Sequence, residues 1–234
     1  YGLVGSEMCI RDRSTMFGSH LQGMPIIAEN GTYVVRDGVD ISSSTIDPNL
    51  TREVITGVRQ LRNEGHDVGL VVATKSIAYL ERGDDPFVSH VATYYHSHRI
   101  VKDLSEHTDD VIKLSIYDFR EASEATYPTM QRTAPEHQVI LATPNWVDIM
   151  NPGVNKGSAV EAVQRDLGVT ADQTAIFGDF LNDLEMMPMA KWSFAMANGH
   201  PNIVKASNYV APPNTENGVI TVLAALLGTR VPIT

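Results

Sequence analysis

The sequence predicts an α/β protein in which a doubly wound, Rossmann-like parallel sheet is joined to a segment of α+β character. Three observations predict it. After Met150, β-rich and helical segments alternate strictly, as parallel strands with crossover helices do. Before Met150, strands and helices are segregated. Gly178-Asp179-Phe180-Leu181-Asn182-Asp183 directly follows the β-rich Thr174–Phe177, at the strand end where an open α/β sheet binds its ligands.

Composition narrows the function. The 234 residues are 43% hydrophobic and 20% charged, which allows a packed core without disulfides. The formal net charge of −10 argues against a nucleic-acid partner, which would require a basic face. Cys9 is the only cysteine, which excludes a disulfide framework and a cysteine zinc site. No apolar run reaches the roughly 18 residues of a membrane span. Ser6–Arg13 reads SEMCIRDR, which resembles a translated sequencing adapter. Tyr1–Arg13 is therefore expected to be an artefactual tail, the alternative being a genuine polar N-terminus.

In chain order, Ser14–Gln22 reads as the end of a helix, and Pro25–Ala28 as a strand turning at Asn30-Gly31 into a second strand, Thr32–Val35. Leu50, Val54, Ile55, Val58 and Leu61 form a helical stripe over Pro48–Asn63 that stops at Gly65. Val68–Ala73 is β-rich, Ser76–Glu81 suggests a short helix, and Gly83–Arg99 a loop-rich stretch. Val111–Tyr117 alternates as a half-buried strand does, Glu121–Arg132 reads as a helix, and Gln138–Ala142 pairs with Trp146–Met150. Then follow helix Ser158–Leu167 closed by Gly168, strand Thr174–Phe177, helix Asn182–Met187, and a strand from Trp192 to Ala197. Helix Pro201–Ala206, strand Tyr209–Val210 and helix Gly218–Leu227 complete the alternation.

Two local patterns bear on chemistry. Gly178 permits a tight turn, after which Asp179 can aim a carboxylate at the crevice, where a hard cation such as Mg²⁺ takes oxygen ligands. Asp179, Asn182 and Asp183 read equally well as caps of the following helix. Lys156-Gly157-Ser158 opens a helix, where an anion is attracted and a lysine adds a point charge. Taken alone, Lys156 also reads as a solvated surface residue. It precedes Gly157, so a P-loop is excluded. No Gly-x-Ser-x-Gly elbow occurs. His90, His96, His98 and His107 cluster in sequence, and His96-x-His98 could bind a metal, but no third ligand has convincing spacing, so they read as surface histidines. Asp84-Asp85 reads as a solvated turn.

The order of these signals resembles the Cof-type (subclass IIB) phosphatases of the haloacid dehalogenase (HAD) superfamily. Lys156 precedes Gly178-Asp179-Phe180-Leu181-Asn182-Asp183, then Ala195-Met196-Ala197-Asn198 and Asn214-Thr215-Glu216-Asn217-Gly218-Val219. Pro25 through Gly31 resembles that family's entry into its cap, and Val147 through Lys156 its return to the core. The resemblance implies a HAD core at 14–35 and 147–234, an α+β cap of type C2 at 36–146, a small phosphorylated metabolite as substrate, Mg²⁺ as cofactor, and a cytoplasmic enzyme with no membrane partner. It implies that Lys156 holds the phosphoryl group, that Asp179 ligates the metal directly or through water, that Asp183 orients the metal shell or Lys156, and that Asn182, Asn30 and Asn214 contact phosphate or substrate. Asn198 would stand behind the contacting residues or fix a loop, and the same alternatives are open to Asn214.

The family's first strand carries Asp-x-Asp-Gly-Thr, whose first Asp attacks phosphorus and whose second is the general acid and base. No Asp-x-Asp occurs in this sequence. The expectation is therefore a HAD core missing its first strand, in a fragment that is inactive as written. The alternative is a non-catalytic module that binds a phosphorylated ligand or a partner.

Overall fold

The computed structural model describes Val4, Gly5 and residues 22–229. The helix expected at Ser14–Gln22 and most of the suspected tail lie outside the described residues. The chain divides into two compact units, Tyr1–Val154 and Asn155–Thr234.

In the first unit, β1 (Val4–Gly5), β2 (Ile26–Ala28), β3 (Tyr33–Arg36) and β4 (Val39–Ser43) form one sheet in that order. β1, which falls within the segment expected to be a tail, runs parallel to β2, and the other pairs are antiparallel. A six-stranded sheet follows, built from β5 (Val68–Thr74), β6 (Ala78–Leu80), β7 (His98–Ile100), β8 (Val111–Asp118), β9 (Gln138–Leu141) and β10 (Trp146–Met150). Its order is β7-β6-β5-β8-β10-β9, with every pair antiparallel except β6 and β7.

Helix α1 (Pro48–Asn63) starts where its stripe predicts. Asp47 caps it by accepting from the Asn49 N–H at 2.7 Å, and Pro48 occupies the first turn, where no N–H is needed. Leu50, Val54, Ile55, Val58 and Leu61 are all buried against Leu70, Val72, Leu114, Ile116, Val147 and Ile149 of the sheet. Each such side chain contributes about 1.5–3 kcal/mol on burial, so this face dominates the stability of the unit. Met130 of α3 (Thr126–Thr133) joins the same cluster. The strand period of two then sends Lys113, Ser115 and Tyr117 of β8, and Trp146 and Asp148 of β10, to the opposite face. The register sets Trp146 against Tyr117 and Asp148 against Ser115.

Two expectations fail in this region. Ser76–Glu81 holds a strand, β6, because Ala78–Leu80 finds partners in both β5 and β7. Gly83–Arg99 holds a helix, α2 (Asp85–Ala92), whose N-cap is Asp84, a residue first read as a solvated turn acid; Pro86 lies in its first turn. Phe87 and Val91 of α2 are fully buried against Val71, Ala73 and Leu80. α3 also begins later than expected, at Thr126.

The second unit contains α4 (Lys156–Leu167), β11 (Ala175–Gly178), β12 (Trp192–Met196), α5 (Pro201–Ala206), β13 (Tyr209–Ala211) and α6 (Gly218–Leu227). The strands are parallel in the order β11-β12-β13, as strict alternation predicts. The helix expected at Asn182–Met187 is replaced by two 3₁₀ turns, Leu181–Asp183 and Met187–Met189. Pro188 lacks the N–H that would continue an α-helix back to Leu184. Among the described residues no helix is long and apolar enough to cross a membrane.

His90, on α2, stacks on Tyr117 with ring centroids 3.9 Å apart and lies 5.7 Å from Trp146. Its Nε2 is buried with no hydrogen-bond partner among the described residues, and burial lowers its pKa below the ordinary 6.5. A histidine held neutral in the fold but protonated when unfolded favours unfolding as pH falls below the unfolded value. Urea midpoints should therefore drop between pH 7 and pH 5, and His90→Phe should flatten that drop.

Candidate functional site

The chemistry-bearing residues of the second unit converge on the loops at the carboxyl ends of its three parallel strands. α4 sets the first of them. The Asn155 side chain accepts from the Ser158 N–H at 2.9 Å, and Ser158 Oγ accepts from the Asn155 N–H at 3.2 Å, a reciprocal cap that fixes where the helix begins. Lys156 is the first helical residue and Gly157 the second. A Cβ at Gly157 would lie 2.3 Å from the Glu185 carbonyl oxygen, so only glycine lets the helix start rest on the turn after β11.

That contact brings Lys156 to Asp183. Its Nζ lies 2.7 Å from Asp183 Oδ1, and the two side chains are only 9% and 8% exposed. The reading of Lys156 as a solvated surface residue therefore does not hold. Asp183 Oδ2 accepts the Asp179 N–H at 3.0 Å and the Phe180 N–H at 3.4 Å. One carboxylate thus ties the lysine to the backbone of the turn. Gly178 admits this geometry, since a Cβ there would sit 2.9 Å from both the Asp183 Cβ and the Met187 sulfur.

Among the described residues Asp179 is held through its backbone. Its N–H goes to Asp183, and its C=O accepts from the His200 N–H at 2.7 Å. The carboxylate stays exposed at the end of β11. Asn182 is half-buried within the 3₁₀ turn. Asn198 and Asn214 clasp each other: Asn198 Nδ2 donates to Asn214 Oδ1 at 2.9 Å, and the Asn214 N–H donates to Asn198 Oδ1 at 3.2 Å. Their loops follow β12 and β13, so the pair fastens neighbouring strand ends. Asn30 belongs to the first unit, where it occupies a left-handed conformation (φ 55°) in a 3₁₀ turn.

A metal ion would find oxygen donors of the right hardness here. Asp179 is exposed and ready, whereas Asp183 already accepts three hydrogen bonds through its two oxygens. Among the described residues no group of three or more His, Cys, Asp or Glu is gathered as a metal cage. That set fits Mg²⁺, which uses one or two carboxylates and completes its shell with water and substrate oxygens. The histidines are engaged otherwise. His96 Nδ1 lies 2.8 Å from the Ala92 carbonyl oxygen, His98 Nδ1 lies 2.7 Å from that of Tyr95, and His107 stacks on Tyr79.

Sequence reasoning missed one polar cluster, in the first unit. Lys113 Nζ lies 2.6 Å from Glu29 and 3.8 Å from Asp148, and Ser115 donates to Asp148 at 2.6 Å. The Tyr95 hydroxyl lies 3.2 Å from Ser115 Oγ. Burial alone would lower the Lys113 pKa, but Asp148 and Glu29 outweigh it and hold the ammonium well above its ordinary value. The available signal was polar residues at a spacing of two within the apolar strands, Lys113 and Ser115 in one and Asp148 in another.

A profile of the haloacid dehalogenase-like hydrolases matches residues 13–223. The chain is 28% identical over 212 residues to the 5-amino-6-(5-phospho-D-ribitylamino)uracil phosphatase YbjI of Escherichia coli, covering 88% of this chain and 75% of that protein. It is 31% identical over 98 residues to a phosphoglycolate phosphatase of Methanosarcina acetivorans, covering 42% of this chain and 43% of that protein. A crystal structure from Thermotoga maritima superposes with a TM-score of 0.85 at 22% identity, over 96% of this chain and 84% of that one, which shows a shared fold. Matched along most of its length, with a Rossmann-like parallel sheet carrying the Lys156–Asp183 cluster, the chain belongs to the haloacid dehalogenase-like hydrolase family.

Proposed function

We propose that this chain forms most of a Mg²⁺-dependent, cytoplasmic phosphatase of small phosphate monoesters, with residues 14–35 and 147–234 as core and 36–146 as a substrate-selecting cap. The observation that carries this reading is the buried Lys156–Asp183 pair joined to the turn that presents Asp179. The names of the relatives support the substrate class: each acts on a phosphorylated small molecule.

Lys156 has three N–H donors and gives one to Asp183, which leaves donors for phosphoryl oxygens. Asp183 positions that ammonium and offsets its charge. Asp179 would hold Mg²⁺, which when bound withdraws charge from the phosphoryl oxygens. Asn182 and Asn30 would contact phosphate or substrate, and Asn214 would keep the strand-end loops in place for them. The nucleophilic and acid–base aspartates of the family would come from an Asp-x-Asp segment that this sequence does not contain. The 234 residues alone should therefore bind without turning over, and the reaction needs that segment restored.

The test joins the upstream coding segment of the parent gene to this chain and measures inorganic phosphate released from a panel of phosphate esters. Release should depend on Mg²⁺, vanish with EDTA, and fall by about two orders of magnitude or more in Asp179→Ala, the scale of losing a charge-stabilising group. No Mg²⁺-dependent release from any ester would reject the phosphatase and favour a non-catalytic binding module.

A second prediction concerns stability. Asp183→Asn strands a buried ammonium and should cost about 3–5 kcal/mol in urea unfolding. Lys156→Met should cost less, because Asp183 keeps its two backbone donors.

A further inference from the structure

β7 and β9 are the two outer strands of the six-stranded sheet. An outer strand offers backbone hydrogen-bonding groups to any chain able to extend the sheet, and folded proteins defend it with charge, proline or a covering element. β7 is defended: Arg99 lies within it and Lys102 just beyond it, both exposed. β9 is not. The chain has no charged residue from Gln138 to Asn145, and its first proline there, Pro144, lies past the strand. Ile140 and Leu141 are 40% and 38% exposed.

Register shows which backbone groups are on offer. Ile140 opposes Asp148 of β10, and the Ala142 N–H donates to the Trp146 carbonyl at 2.9 Å. Antiparallel bonding alternates along a strand, so Gln138 and Ile140 bond to β10 while the N–H and C=O of Val139 and Leu141 point outward. Among the described residues no strand takes them up.

Those groups match a second β9 running antiparallel. With Ile140 opposite its own copy, Val139 meets Leu141 on both sides of the axis, apolar against apolar, with about four backbone hydrogen bonds between the strands. Other centres fit worse. An axis at Val139 sets Leu141 against His137, and one at Leu141 sets Gln138 against Pro144. Charge agrees with the Ile140 centre. Two chains of net charge −10 repel, so they can meet only where charge is absent or paired. Here Glu136 of one copy opposes Pro144 of the other. Asn145, beside Pro144, fastens this turn to Arg120 by donating to its carbonyl at 2.6 Å. Glu136 and Arg120 are both exposed, so an ion pair between copies can close each end of the ladder.

We propose that the outer edge of β9 is an interface with a second copy of this chain, joining two six-stranded sheets across a two-fold axis at Ile140. The pairing does not depend on the chemistry of the second unit.

Sedimentation velocity of the whole chain tests it. Small interfaces bind weakly, so the titration runs from roughly 1 to 500 µM. The sedimenting mass should rise toward twice that of the chain. Ile140→Lys, which sets two like charges face to face on the axis, should weaken association about tenfold or more. Should that variant fail to fold by circular dichroism, Leu141→Pro serves in its place, because it removes an outward donor. Glu136→Arg should weaken association about threefold, the scale of exposed ion pairs, and adding Arg120→Glu should restore it. Amide exchange read by NMR should slow at Val139 and Leu141 as concentration rises. A monomer at every concentration would overturn the interface and leave the edge to a strand from another protein. A dimer that neither Ile140→Lys nor Leu141→Pro weakens would also overturn it, and failure of the charge swap to restore association would overturn the Ile140 axis.

Discussion

The second unit is organised around one buried ion pair. Lys156 opens a helix and Asp183 closes a turn, 27 positions apart in sequence, and neither charge could be buried without the other. The pair makes two distant segments interdependent: where α4 begins decides where the turn after β11 can lie. Asp183 extends the coupling through two backbone N–H groups, so the position of Asp179 follows from an interaction in which its own side chain takes no part.

The two units handle charge in opposite ways. At the strand ends of the second unit, a carboxylate stays exposed while the backbone beneath it is fastened on both sides. In the first unit, Lys113, Glu29 and Asp148 are all buried and neutralise one another in part. A chain of net charge −10 can serve an anionic ligand only through local positive charge, which Lys156 supplies with one carboxylate against it and Lys113 does not, with two.

Much of this was legible in the sequence, for identifiable reasons. The alternation after Met150 announced the parallel sheet, because each strand there is short, apolar and separated from the next by a helical or turn segment. The α1 stripe was legible because its apolar spacing runs unbroken from Leu50 to Leu61 and stops before Gly65. Ser76–Glu81 was misread because β6 is specified by partners on both sides and not by its own three residues. The turn at Asn182–Met187 was misread because the Asp183 side chain competes with helical hydrogen bonding and Pro188 interrupts it. The Lys156–Asp183 pair was foreseeable only as motif order. The Lys113 cluster stayed hidden because it is assembled from two strands, a turn and the segment after α2, all distant in sequence.

Gly157 contributes no functional atom, yet the reach of Lys156 depends on it. Any side chain at 157 would collide with a backbone oxygen, which cannot rotate aside as a flexible side chain could. Relief would come from sliding the whole helix, and the ammonium would travel with it. In a deep mutational scan this hydrogen atom would behave like a spacer of fixed thickness, as intolerant of replacement as the charged neighbour it positions. The smallest residue in the site is in this sense the ruler against which the longest one is measured.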